Sequence, residues 1–526
     1  MSQRTAPAIP ANDLDDRPLR QMLIIAMPVI GTMVSFTLMQ FVDKLYCGML
    51  GAEALAAVGN GGLAAFFPVS VMMGLLGVVN TYVSQNLGAG RPERGPAYAW
   101  NAMWLSLFVW VGVLLPYALM LPQVFAFMRS TMGVAQPSAW VIEHETIYAR
   151  ILLFGMVLTV CARSLAQYFY GMHRPMTVAI GTLIANLVNW FFTWALVFGK
   201  LGLPQWGVAG SAIATVIGSL IELAIPMAVF LSAKYHTSFG TRTAWRPSLS
   251  HMKEIWKIGW PAGVMFGNEM VCWWIFMGGL VAQYGAEHNA AGWIALTYMH
   301  LSFMPAVGLS FAMTAIVGKC IGAGRRDLVP ARVWLGIRLA MVYMGLCALC
   351  FVIFRGPMVD LFIAPGESPE VAQKILAIGS RLLILAAIFQ LFDAVGITLV
   401  GSLRGAGDTV WPGLMTVVLA WGVIIGGGKL STILWPGLES LGPWIAAAIY
   451  IILFALGLAY RFRSGAWMRI KVVNGERPPA TVPCPGCGIE LSALATTAPC
   501  PVCSAPPASE PSPETPLPEP NPAGGA

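Results

Sequence analysis

NLGAGRPE at Asn86–Glu93 and CIGAGRRD at Cys320–Asp327 are one phrase written twice, 234 residues apart. The echo extends in both directions. GAEALAA begins at Gly51 and GAEHNAA at Gly285, while Gly171 in YGMHRP answers Gly405 in LRGAGD, all at the same offset of 234. Pro28 and Pro261, early in the first apolar run of each copy, lie 233 apart. Three matches in one register, with a fourth one residue off, do not arise by chance, so the chain reads as two copies of one unit. The basic, polar stretch Lys234–Arg246 joins them.

The composition says what the unit is. Of 526 residues, 57% are hydrophobic and only 10% charged, too little charge to coat a water-soluble body of this size. A helix crosses about 30 Å of hydrocarbon with roughly 20 apolar residues. Such runs are expected at 21–50, 54–86, 97–121, 145–170, 176–199, 207–232, 255–284, 289–318, 330–355, 372–402, 411–432 and 442–462. Each copy holds six, an even number, so each begins and ends on the same side of the membrane. The repeats are therefore parallel, with a cleft between two bundles where secondary transporters keep their substrate. The expected fold is an all-α polytopic membrane protein of twelve transmembrane helices in two parallel six-helix repeats. Its parts are a tail at 1–18, an N-terminal bundle at 19–233, a linker at 234–254, a C-terminal bundle at 255–465 and a Pro-rich tail at 478–526. Residues 1–18 are polar and read as a tail rather than a cleavable leader.

Basic residues give the orientation. With the N-terminus in the cytoplasm, only eight of the 31 Lys+Arg fall on the opposite side: Lys44, Arg129, Arg150, Lys200, Arg355, Lys374, Arg381 and Lys429. The other 23 include Arg163, Lys319 and Arg338, taken as helix-end residues on the cytoplasmic side, with Lys319 snorkelling. The expectation is a multi-pass protein of the cell membrane with both termini cytoplasmic. Topology and attraction to anionic lipid then account for the net charge of +7 without a nucleic-acid partner.

Against this background the acids inside the spans demand a reason, because a carboxylate at the bilayer centre costs about 2.5–3.5 kcal/mol on insertion scales. Glu269, in GVMFGNEMVCWW, and Asp393, in IFQLFDAVGITLVG, have no Lys or Arg at i±3 or i±4. Each is a candidate to titrate or to bind a cation. Asp43, beside Lys44, is a candidate set closer to the membrane surface. Glu222, four residues before Pro226, reads as structural at least as readily as functional. Asn186 and Asn189 share one helix face, with Thr193 a turn further, and either line the cleft or hold helices together.

Taken in order, these pieces resemble the multidrug and toxic compound extrusion (MATE) family, in its NorM-like branch, over roughly residues 19–465. The resemblance rests on Pro28, Asp43, Gly48 and Gly51 in the first helix, VSQNLGAG at 83–90, and Asn189/Thr193 followed by LVFGKLGLPQWGVAGSAIAT at 196–215. FGNE at 266–269 and the Phe389, Asp393, GSLRGAGDT, Pro412 series complete it. It implies an antiporter that exports small amphipathic organic cations in exchange for H+ or Na+ by rocking its two lobes. It further implies proton coupling at Asp43 and coupling-cation binding by Glu269 and Asp393. Two departures bear on this. Where many relatives carry an Asp after the fifth-helix asparagine stands Thr193, and where some sodium-coupled members carry a Tyr stands Phe389. The second removes an oxygen from a sodium site and tilts the expectation toward protons.

Beyond the last helix the sequence changes character. CPGCGIELSALATTAPCPVC places Cys484, Cys487, Cys500 and Cys503 at C-x2-C-x12-C-x2-C spacing, close to a zinc ribbon, so a structural Zn2+ is expected there. The final twenty or so residues have the composition of a disordered tail, with room for an unknown partner. Two other functions remain to be weighed. A flippase for a lipid-linked or polyprenyl substrate needs basic residues inside the first-half helices, where the sequence shows acids. A membrane-tethered receptor or scaffold gives no reason for isolated carboxylates in the seventh and tenth helices. No Walker A, HExxH or nucleophile elbow points to an enzyme.

Overall fold

A computed structural model describes residues 17–132, 138–363, 368–473, 481–483 and 490–492. The chain divides into a body, Met1–Val473, and a separate unit, Asn474–Ala526. The body holds twelve helices long and apolar enough to cross a membrane: Pro18–Gly48, Glu53–Gly88, Pro92–Leu119, Ala139–Gly171, Pro175–Phe198, Gly207–Phe230, Leu249–Tyr284, Ala286–Gly322, Arg326–Ile353, Pro369–Ala406, Val410–Leu434 and Leu441–Arg463. They are spans 1 to 12. Twelve crossings put the start of span 1 and the end of span 12 on one side, called here the terminal face; the other is the far face.

The helix ends follow local chemistry. Pro18, Pro92, Pro175 and Pro369 sit in first turns, where a missing N–H costs nothing. Ser138 and Ser368 accept the N–H of Val141 and Val371, at 3.3 and 3.4 Å. These caps start spans 4 and 10 at Ala139 and Pro369, ahead of the apolar runs expected from 145 and 372. Pro28, Pro68, Pro226, Pro261 and Pro305 lie inside helices, and wide π turns interrupt spans 3, 7 and 11.

Packing repeats with the sequence. Span 4 packs on spans 2, 3 and 6, and its repeat mate, span 10, packs on spans 8, 9 and 12. Between the halves, span 1 crosses span 8 while span 7 crosses span 2. The closest approaches obey the same two-fold relation. A Cβ on Gly88 would collide with the Lys319 carbonyl, and one on Gly322 with the Gln85 carbonyl. One on Gly171 would lie 2.9 Å from the Asn80 oxygen, and one on Gly405 2.6 Å from the Thr314 oxygen. Each pair is offset by 234, so the repeated glycines are where backbone must meet backbone, as small residues permit between membrane helices. Lys319 is buried in this contact, 7% exposed, rather than snorkelling.

Among the described residues, every hydrogen bond between the halves lies in the terminal-face part of the cleft. Asn80 donates to the Phe311 carbonyl (3.1 Å), Thr81 to the Arg404 carbonyl (2.8 Å) and Gln85 to the Gly405 carbonyl (2.9 Å). Toward the far face, Leu63 and Phe67 on span 2 and Trp293 and Leu301 on span 8 are exposed. The two halves are thus fastened together at the terminal face. In the separate unit, Thr481–Pro483 and Glu490–Ser492 pair antiparallel, Val482 opposite Leu491. These two strands are the exception to an all-helical reading. Cys484, Cys487, Cys500, Cys503 and the last residues of the tail lie outside the described residues.

Candidate functional site

In the first half, one carboxylate is enclosed. Asp43, five residues from the end of span 1, is 6% exposed among its helix neighbours, although Lys44 beside it is exposed. Its oxygens accept Thr193 Oγ1 at 3.1 Å and Thr215 Oγ1 at 3.3 Å, and Asn189 Nδ2 donates to Thr215 at 3.4 Å. Thr193, which departs from the acid seen in many relatives, is therefore a partner of Asp43 rather than an empty place. Thr215 was missed as a site residue, although it ends the 196–215 run. Asn186 lies apart from this group and donates to Ser35 Oγ at 2.5 Å, tying span 5 to span 1.

The second half differs. Glu269 on span 7 and Asp393 on span 10 are half-buried and close enough to repel one another. Among the described residues neither forms an ion pair with Lys or Arg. Among the described residues Glu269 has Trp273, one turn along, as a side-chain hydrogen-bonding neighbour. Tyr450, 3% exposed on span 12, faces both acids, and sequence reasoning gave no hint of it. Phe389, where an oxygen ligand stands in some relatives, is 1% exposed and apolar. Two like charges in a low-dielectric place repel strongly unless a cation or proton comes between them.

A third charged pair changes one expectation. Arg163 is eight residues short of the end of span 4, about 12 Å along the helix, and 8% exposed rather than at the membrane surface. It pairs with Glu222 at 3.5 Å, and Thr182 donates to the same oxygen at 2.9 Å. The guanidinium also lies 4.9 Å from the centre of the Phe36 ring. Glu222 thus has a structural partner on another helix, which its sequence could not show. Arg163, Gln167, Tyr170, Met33, Met73, Leu76 and Phe311 line a cavity of about 20 Å³, room for a single water, where the cleft closes. Among the described residues no group of three or more His, Cys, Asp or Glu converges as for a metal ion.

Comparison with known proteins bears on the family and the fold. A family model, MatE, matches residues 28–195 and 264–426. Among similar sequences is "Probable multidrug resistance protein NorM" of Thermotoga maritima, 26% identical over 465 residues, covering 87% of this chain and 95% of that one. "Multidrug resistance protein NorM" of Burkholderia vietnamiensis is 29% identical over 449 residues, covering 83% and 92%. Among solved structures, "Outward-facing conformation of a multidrug resistance MATE family transporter of the MOP superfamily" superposes with TM-score 0.76 at 20% identity, covering 87% and 98%. A Pyrococcus furiosus transporter described by the words "Reverse polarity of binding pocket suggests different function of a MOP superfamily transporter" gives 0.77 at 20%, with the same coverage. At that identity the structures speak for the fold alone.

Proposed function

The chain belongs to the MatE family, and from that premise we propose that it is a multidrug efflux antiporter, exporting small amphipathic organic cations in exchange for protons or sodium ions. The observation that carries the reading is the Glu269–Asp393 pair: two carboxylates close enough to repel one another, with no fixed cation among the described residues. Such a pair takes up a cation or a proton when the cleft is open to one side and releases it when a cationic substrate competes for the same charge from the other. The two halves rock, and the glycine contacts at the terminal face part and close again. The terminal face is cytoplasmic in the cell membrane, as its excess of Lys and Arg supports, so the described state is closed inward. Apolar Phe389, standing where some sodium-coupled relatives carry a tyrosine oxygen, favours protons, because hard cations such as sodium want several oxygen ligands. Asp43, held by two hydroxyls, and Asn189 form a second polar station in the first half, and Asn186 braces it.

The flippase reading has basic residues inside a first-half span to draw on. Among the described residues, Arg163 is committed to Glu222 at 3.5 Å, and Arg150 donates to the Ala118 and Leu119 carbonyls at 3.1 and 3.4 Å. The test is release of a fluorescent organic cation from proteoliposomes under an imposed proton or sodium gradient. Transport driven by one gradient supports antiport and names the ion. Failure of both gradients with every cation tried sinks the proposal.

The tail carries a separate proposal. Four thiolates at Cys484, Cys487, Cys500 and Cys503 suit a tetrahedral Zn2+, and the antiparallel strands flanking the first pair support a folded knuckle. Elemental analysis is expected to give one zinc per chain, lost in Cys484→Ser/Cys487→Ser while transport persists. A zinc-free wild type contradicts it.

A further inference from the structure

Span 7 begins with an outward stripe of alternating chemistry. Lys253, Trp256, Lys257 and Trp260 follow i, i+3, i+4, i+7 spacing and so share one helix face, and all four are exposed, the two indoles at 53% and 46%. Val264, next on the stripe, is 41% exposed. Just before the span, Trp245 is 50% exposed and Arg246 is exposed beside it. The opposite face of the same helix is closed: Gly259 and Gly263 press on the carbonyls of Leu75 and Val71. The stripe therefore looks outward, at the depth where a spanning helix meets the headgroups.

The charges there are uncommitted. Several basic side chains elsewhere are neutralised within the protein: Arg163 by Glu222, Arg325 by Asp327, Arg461 by Asp408. Arg246, Lys253 and Lys257 form no ion pair or side-chain hydrogen bond among the described residues. The one carboxylate in this stretch, Glu254, accepts Tyr98 Oη at 2.8 Å. Arg242, nearby, donates through Nε to the Leu231 carbonyl at 2.8 Å.

The two parts of this surface ride on different halves. Trp100 and Trp104 of span 3 donate through Nε1 to the carbonyls of Thr241 and Trp245, both at 2.8 Å, and the Ser248 N–H donates to Asn101 Oδ1 at 2.6 Å. The linker with Arg246 is thus fastened to the first half, whereas Lys253 and Lys257 belong to the first helix of the second. We propose that Arg246, Lys253 and Lys257, with Trp245, Trp256 and Trp260, form a docking site for an anionic phospholipid headgroup that bridges the two halves at the terminal face. Cations meet the phosphate, and indoles meet the glycerol and upper acyl region, as amphipathic rings do at this depth. Because the ligand spans the seam, it favours the state shut at this face, and closure in turn tightens lipid binding.

The test is native mass spectrometry of the purified full chain with added phosphatidylglycerol or phosphatidylcholine. Lys253→Gln/Lys257→Gln is compared with wild type and with a distant control, Lys429→Gln. The expected result is preferential binding of phosphatidylglycerol by wild type and control, and about tenfold weaker binding by the double variant. Thermal unfolding gives a second readout: phosphatidylglycerol raises the midpoint of wild type but not of the double variant, and both share one midpoint in phosphatidylcholine. Equal affinity for the two lipids, unchanged binding in the double variant, or equal protection by glycerol phosphate without acyl chains would overturn the proposal. None of these readouts depends on drug transport.

Discussion

The terminal-face closure and the layer of acids above it were built by one duplication, yet only the closure has kept the symmetry. Gly88 and Gly322 meet matching carbonyls across the two-fold, and Gly171 and Gly405 meet matching carbonyls each within its own half. The acids have no such mates: at the repeat offset of 234, Glu269 corresponds to Ser35, Asp393 to Thr159 and Asp43 to Met277. Closure is a steric demand that both copies must satisfy at once, so both keep the residue with no side chain. Charge inside a membrane is expensive, so a second copy of each acid is a cost unless function needs it. The scaffold is therefore symmetric and the chemistry one-sided, with Asp43 wrapped in hydroxyls and Glu269 and Asp393 left close enough to repel one another.

That contrast is open to attack at several points. Asp393→Asn strikes the one-sided chemistry and is expected to cut gradient-driven transport about a thousandfold, equivalent to ~4 kcal/mol, while Thr159→Val at the matching position leaves it near wild type. Flux into and out of proteoliposomes measures both. Arg163→Met strands the Glu222 carboxylate in the first half and should lower unfolding stability by about 3 kcal/mol, with much of that recovered in Arg163→Met/Glu222→Met. Denaturation in detergent reads it.

His173 is a one-sided feature within the symmetric closure. Its repeat mate is Gly407, and both hold positive φ, 57° and 83°. His173 Nε2 lies 3.1 Å from the Ala315 carbonyl of the other half. Burial, helped by nearby Lys319, pushes its imidazole down to about 4. With the folded value below the ordinary ~6.5, its contribution to stability is full above pH 6.5 and is lost as pH falls toward 4. Between pH 7 and pH 5 the protein should lose about 2 kcal/mol through this group. His173→Gln should flatten that loss in thermal unfolding, and an unchanged slope would assign it elsewhere. The mildest expected effect tests the symmetry itself. Gly88→Leu and Gly322→Leu should each slow transport about tenfold, ~1.4 kcal/mol, and by similar factors. A large effect from one with none from the other would break the two-fold account.

What was legible in the sequence divides along the same line. The spans, the duplication and the closing glycines are written in local pattern, since hydropathy and repeated phrases need no partner to be seen. Glu269 and Asp393 were visible because isolation from charge is also a local property. The partners were not: Arg163 with Glu222, Thr193 and Thr215 with Asp43, and Tyr450 with the acid pair join helices far apart in the chain. Arg163 shows the cost of this, since its place near a helix end suggested the membrane surface, and only the position of Glu222 on span 6 draws it inward.

The central claim is that the second-half pair, and not Asp43, carries the exchanged cation. Its most direct test is substrate efflux from proteoliposomes with and without an imposed cation gradient, for Glu269→Gln and Asp43→Asn side by side. The account predicts that Glu269→Gln still binds the drug but gains nothing from the gradient, whereas Asp43→Asn keeps a gradient response. A full gradient response in Glu269→Gln, lost instead in Asp43→Asn, would contradict it.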